Sequence, residues 1–205
     1  VQDEQNGLWI GTQDGLNRFD GKHFEVYTPD ETKGLESAYI KCAITDDNGS
    51  LWFGTNNGLT KYNSNNETFT TYFIKKGEVL QIESISMGEG NILWVATSEN
   101  GLYQFNTQKA SFKHIGKAIP SRKTTQVKAL AGKTIIVATA DQGLYVYQVN
   151  QKNSRRIMKL NGKALPTINK IIQEKDGEVL LMTSQGVYSI EVKTGVLTPK
   201  FKEWR

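Results

Sequence analysis

Residues 46–59 read Asp46-Asp47-Asn48-Gly49-Ser50-Leu51-Trp52-Phe53-Gly54-Thr55-Asn56-Asn57-Gly58-Leu59. Two turn signals, Asp-Asn-Gly and Asn-Asn-Gly, bracket a short run of apolar and aromatic residues. Asn, Asp and Gly tolerate the positive φ of tight hairpin turns, while aromatic and β-branched side chains favour the pleated strand between them. Working outward, the alternation predicts strands over 40–45, 50–55, 59–62 and 68–73, which together make one antiparallel meander.

The same register recurs. Leu8-Trp9-Ile10-Gly11-Thr12, Leu93-Trp94-Val95-Ala96-Thr97, Ile135-Ile136-Val137-Ala138-Thr139 and Leu180-Leu181-Met182-Thr183 match the central run, so that Thr12, Thr55, Thr97, Thr139 and Thr183 stand 43, 42, 42 and 44 residues apart. A glycine that restarts a strand follows each one: Gly15, Gly58, Gly101, Gly143 and Gly186. A period of about 43 without helical periodicity is that of propeller blades. A four-stranded sheet with two apolar faces buries them only by stacking on neighbours around an axis. The fold class expected is therefore all-β: a β-propeller, or a part of one, of about five four-stranded antiparallel blades in one segment, 1–205. The repeats divide at 1–36, 37–78, 79–126, 127–167 and 168–205. Residues 1–4 read as the stump of an inner strand, and a chain that starts at Val1 rather than Met reads as an excerpt.

The large anchors are expected between blades: Trp9, Trp52 and Trp94, with Ile136 and Leu181 in their place later, and Phe19, Tyr62, Phe105 and Tyr147 on the third strands. The small residues Gly11, Gly54, Ala96 and Ala138 suit close approach near the axis. The single cysteine, Cys42, cannot form an internal disulfide and reads as a small hydrophobe of the core. A net charge of +4 with interspersed signs is too weak to indicate a nucleic-acid partner. Neither a membrane-spanning run nor a signal peptide is visible.

The pattern DxNGxLWxGTxxGL over residues 46–59 resembles the two-component regulator propeller repeat. The likeness is strong in the first three repeats and decayed in the last two, where the tryptophan is lost. Similar repeats fill the periplasmic sensor region of Bacteroides-type hybrid two-component systems. The resemblance implies a non-catalytic, ligand-sensing propeller, periplasmic and part of an inner-membrane sensor protein. Such sensors respond to oligosaccharides and resemble paired seven-bladed rings, which makes five blades a portion. The partners implied are an oligosaccharide ligand, downstream sensor and kinase domains of a longer chain, and a second copy in a homodimer. No nucleic acid is expected for this segment.

A search for chemistry returns little. His23 and His114 lie in different repeats, and no His/Cys spacing suits a transition metal. Asp46-Asp47-Asn48-Gly49 and Glu174-Lys175-Asp176-Gly177 lack the alternate oxygen ligands and terminal glutamate of a calcium loop. Acidic residues sit in turns, where Asp caps its own backbone; no pair stands out as a glycosidase or lyase couple. No catalytic residue, cofactor or metal site is expected. The turns between second and third strands and the links between blades should share one rim, and variable links are where binding groups sit. On those links Lys75, Lys76, Lys117, Arg122 and Lys123 form the candidate ligand-binding set, suited to an acidic sugar. The alternatives are a protein-interaction scaffold, which would need an exposed apolar patch, and a polysaccharide lyase or hydrolase propeller.

Overall fold

The recurrent threonine has a structural reason. Thr55 donates its hydroxyl to the carbonyl of Gly58 (3.0 Å) and accepts the N–H of Asn57 (2.9 Å), closing the turn between second and third strands. Thr12, Thr97, Thr139 and Thr183 close their own turns on Gly15, Gly101, Gly143 and Gly186 in the same way. Gly58 turns at φ 106, where a side chain would also meet Tyr72 and Thr71. One hydroxyl and one glycine therefore fix the hairpin register in every repeat.

The computed structural model describes residues 1–75 and 77–201, with the backbone alone at Phe201. Blade one is three-stranded, with β1 (Leu8–Gly11), β2 (Leu16–Phe19) and β3 (Phe24–Tyr27). Blade two holds β4 (Ile40–Thr45), β5 (Leu51–Thr55), β6 (Gly58–Asn63) and β7 (Thr68–Tyr72). Blade three holds β8 (Ile82–Met87), β9 (Ile92–Thr97), β10 (Gly101–Asn106) and β11 (Ser111–His114). Blade four holds β12 (Thr124–Leu130), β13 (Thr134–Thr139), β14 (Gly143–Gln148) and β15 (Asn153–Ile157). A small hairpin, β16 (Lys159–Leu160) with β17 (Lys163–Ala164), decorates the next link. Blade five holds β18 (Ile168–Gln173), β19 (Val179–Thr183), β20 (Gly186–Ile190) and β21 (Leu197–Phe201). Because β12 starts at Thr124, the division drawn at 126/127 runs through a strand. Before β1, the predicted stump pairs only locally: Val1 and Trp9 exchange backbone hydrogen bonds, and Gln2 bridges Leu8.

Alternation along each second strand sends the tryptophan to one face and its two neighbours to the other. The tryptophan face of each blade meets the opposite face of the next. Trp9 packs with Leu51 and Phe53, Trp52 with Leu93, Val95 and Phe105, Trp94 with Ile135, Val137 and Tyr147, and Ile136 with Val179 and Leu181. Four apolar cores thus join five blades, and among the described residues no core joins blade five back to blade one. The arc is open, and its outer faces carry exposed Leu8 and Ile10 at one end and Met182 at the other.

Phe19 lies on the Leu8 face of blade one, in the register that Tyr62, Phe105 and Tyr147 hold in theirs, and is half-buried and stacked on Phe24 at 4.7 Å, with no described blade against that face. The direction of stacking corrects one expectation. In blade five the residue in register with Trp52 is Leu180, which pairs Ile172 and Ser189 as Trp52 pairs Ile44 and Lys61. Leu181 is one position on and faces blade four, in the place of Phe53. The small residues do mark close approach: a Cβ on Gly54 would meet Cys42 and Ile82, and one on Gly11 would meet Ile40. What comes close is the first side chain of the next inner strand.

Candidate functional site

The inter-blade links and the second turns share one rim, hereafter the upper rim. Gly58 N–H donates to Leu80 O (2.9 Å), Gly101 N–H to Arg122 O (2.8 Å), Ala140 N–H to Lys123 O (2.9 Å) and Ser184 N–H to Thr167 O (3.0 Å). These bonds tie each link to the hairpin beside it, so groups on the links are held by backbone rather than left on free loops.

The five basic residues chosen from the sequence are distributed as follows. Lys75, on the link between blades two and three, is exposed and paired with Glu78 at 2.8 Å; that hydrogen bond and charge raise its pKa. Lys76 lies outside the described residues. Lys117 and Lys123 are exposed on the link between blades three and four, and Arg122 donates Nε to Glu99 O at 2.9 Å. Burial raises the pKa of Tyr103, with Arg122 opposing and Glu78 adding to the effect, so the two links approach this one phenol. Among the described residues, Lys75, Lys117, Arg122 and Lys123 line none of the hollows described below.

The structure instead builds a concavity where the upper rim meets the axis. It measures about 500 Å³ and is floored by Gly11 and Ile40, with Gln13, Tyr39, Lys41 and Glu83 around it. Lys41 bonds Glu83 at 2.5 Å and lies 5.9 Å from the centre of the Tyr39 ring. Gln13 Nε2 donates to Tyr39 Oη at 3.3 Å. Asn56 N–H donates to Tyr39 O (3.1 Å), and its buried Oδ1 has no hydrogen-bond partner among the described residues. An exposed tyrosine thus stands among an amide, a cation and a carboxylate. Sequence reasoning missed this set because its members come from three blades. The available signal was the repeat itself: Lys41 and Glu83 are 42 residues apart, one blade, immediately after Ile40 and Ile82.

Below the mouth runs an axial cavity of about 380 Å³ between the inner strands β4, β8, β12 and β18. Lys41 lines both spaces, and Lys128 and Lys170 face the cavity with no ion pair among the described residues. Ser84 and Ser86 accept the N–H groups of Val127 (3.3 Å) and Ala129 (2.9 Å), stitching adjacent inner strands together. Cys42 also lines the cavity, half-buried, and desolvation pushes its thiol up to about 12. It is therefore protonated and a poor nucleophile at neutral pH.

The carboxylates singled out in turns have structural work. Asp46 Oδ1 accepts the N–H groups of Asn48 (3.0 Å) and Ser50 (2.9 Å), and Oδ2 accepts the indole N–H of Trp52 at 2.8 Å. Asp176 Oδ1 accepts the N–H of Glu178 at 2.9 Å, and Asp20, which is not among those residues, caps Lys22 and His23. His114 lies against Tyr103 with ring centres 4.8 Å apart, and His23 is exposed beside Asp20, a blade or more away.

The chain is a β-propeller segment, and comparison with known proteins agrees. It superposes on the extracellular domain of BT3049 from B. thetaiotaomicron, described as a hybrid two component system, with TM-score 0.84 and 22% identity. That match covers 97% of this chain and 29% of the other. The extracellular domain of BT4673 from the same organism gives 0.78 at 19% identity, covering 99% and 27%. Virginiamycin B lyase from Staphylococcus aureus gives 0.75 at 12% identity, covering 98% and 68%. At these identities the likeness is one of fold, and the chain spans less than a third of the two extracellular domains. No curated protein sequence matches it. The family model "Two component regulator propeller" matches residues 34–57, and so identifies the repeat of blade two with that family.

Proposed function

We propose that this chain is the ligand-recognising propeller segment of a two-component sensor, periplasmic and non-catalytic, and that it binds an oligosaccharide at the Tyr39 mouth. The observation that carries the reading is the mouth itself, set in a chain bearing the two component regulator propeller repeat. Aromatic faces pack on the apolar faces of sugar rings, and the convergent amide, ammonium and carboxylate supply orientation. Lys41, Lys128 and Lys170 against Glu83 leave the axial space positively biased, which favours a sugar carrying a carboxylate or sulfate. Lys75, Lys117, Arg122 and Lys123 add to this field from the links. Kinase-bearing domains and a second copy would receive the signal.

Calorimetric titration with a panel of neutral and acidic oligosaccharides tests the reading. One acidic member should bind without being cleaved, and Tyr39→Ala should weaken it at least about tenfold, or about 1.4 kcal/mol. Binding unchanged in Tyr39→Ala would move the site elsewhere, and no binding from any member would contradict the sugar reading. Cleavage of a bound sugar would contradict the non-catalytic one.

A further inference from the structure

The lower rim, where first and second strands turn, holds a hollow that the repeat pattern explains. In blade one Asp3 Oδ2 accepts the Trp9 indole N–H at 2.8 Å, as Asp46 does for Trp52 in blade two. Both aspartates stand six residues before their tryptophan. Blade three keeps the turn: Gly88 N–H donates to Ile92 O at 2.7 Å, as Asp3 N–H does to Gly7 O and Asp46 N–H to Ser50 O, each at 2.9 Å. It also keeps the tryptophan, Trp94, which is 2% exposed. The carboxylate is gone, because residue 88 is glycine. The Trp94 indole N–H has no acceptor among the described residues, and a Cβ on Gly88 would lie 2.7 Å from Nε1, so the ring leans into the vacated space.

Beside it, between blades three and four, lies a hollow of about 230 Å³. Its walls include Ile92, Leu130, Ile135 and Val149, and its charged groups are Lys133 and Glu89, both exposed. That volume is below the roughly 300 Å³ at which drug-sized sites begin, so the occupant is small. We propose that this hollow binds a small organic carboxylate with an apolar body. The ligand's carboxylate accepts the Trp94 N–H, as Asp3 and Asp46 do in their blades, with Lys133 as counter-charge and the apolar body against the aliphatic walls. A hydrogen bond to a charged acceptor is stronger than one to a neutral acceptor, so the carboxylate is preferred to a neutral analogue. The site is at the opposite end of the sheets from the Tyr39 mouth, and the proposal is independent of the sugar reading.

The test follows tryptophan indole N–H resonances by NMR while phenylacetate, and separately phenylacetamide, is titrated into the chain, with Trp94→Phe assigning the signal. The Trp94 resonance should shift saturably with phenylacetate while Trp9 and Trp52 stay fixed. Lys133→Gln should weaken phenylacetate at least about threefold, Glu89→Gln should tighten it, and phenylacetamide should bind at least about fivefold more weakly. No saturable shift at Trp94 would overturn the proposal. Equal binding of the amide would also overturn it, by showing an apolar hole without carboxylate recognition.

Discussion

Trp9 and Trp94 occupy the same position in blades one and three, and each is buried against the next blade, yet their indole nitrogens differ in circumstance. Trp9 is held by Asp3, which also accepts Arg18 Nε at 2.8 Å and the N–H groups of Gln5 and Gly7. Trp94 faces Gly88 and a hollow. The difference teaches that apolar stacking and the polar clasp are separable parts of the interface. Packing alone places the ring, since Trp94 is as buried as Trp9, whereas the clasp ties that ring to the turn beneath it. Blades four and five go further: Ile136 and Leu180 carry no donor, and the interface between these blades is aliphatic.

The largest break in this comparison should come from removing a ring. Trp52→Ala empties the core between blades two and three, and urea unfolding should show a loss of about 3–5 kcal/mol. Next, Asp46→Ala keeps the ring but strands its N–H and two turn N–H groups, for a loss of about 2–3 kcal/mol by the same measurement. At the equivalent position Gly88→Ala should cost about 1–2 kcal/mol for a different reason, overpacking against Trp94, and should perturb near-ultraviolet dichroism. A Gly88→Ala protein more stable than the parent would show that the ring moves freely and that the hollow is slack.

Acid sharpens the contrast between clasped and unclasped blades. Burial opposes ionisation of Asp3, but hydrogen bonds from Arg18, Trp9 and Gly7, with the Arg18 charge, outweigh it and hold its carboxyl below the ordinary 3.8. A folded value below the unfolded one stabilises the native state. That contribution is complete above the unfolded value and is lost as pH falls through the folded one. Asp3→Asn should therefore flatten the fall in urea midpoint below about pH 4, while the parent falls steeply. The smallest effect belongs to the mouth: Lys41→Met should change stability by less than about 1 kcal/mol, because the Lys41–Glu83 pair is partly exposed, with a difference that shrinks in salt.

The strands of blade two were legible almost to the residue, because Asn-Gly turns and alternating apolar residues act locally. The direction of stacking was not. It required knowing which face of β5 meets which neighbour, and without that Leu181 is placed where Leu180 belongs. The Tyr39 mouth was also hidden, since Gln13, Tyr39 and Glu83 meet only through stacking across three blades. Gly88 stood in plain sight as a departure from the Asp of the same turn in blades one and two. Its meaning depends on a hydrogen bond across six residues that a turn reading does not supply.

Hydrogen exchange at the indole nitrogens, followed by NMR in heavy water, tests the central contrast most directly. Trp9 and Trp52, each bonded to a carboxylate, should exchange slowly, and Trp94, whose indole N–H faces the hollow, should exchange at least about tenfold faster although the residue as a whole is as buried as Trp9. Equal protection at all three rings would mean that Trp94 has an acceptor after all, and would contradict the account of blade three.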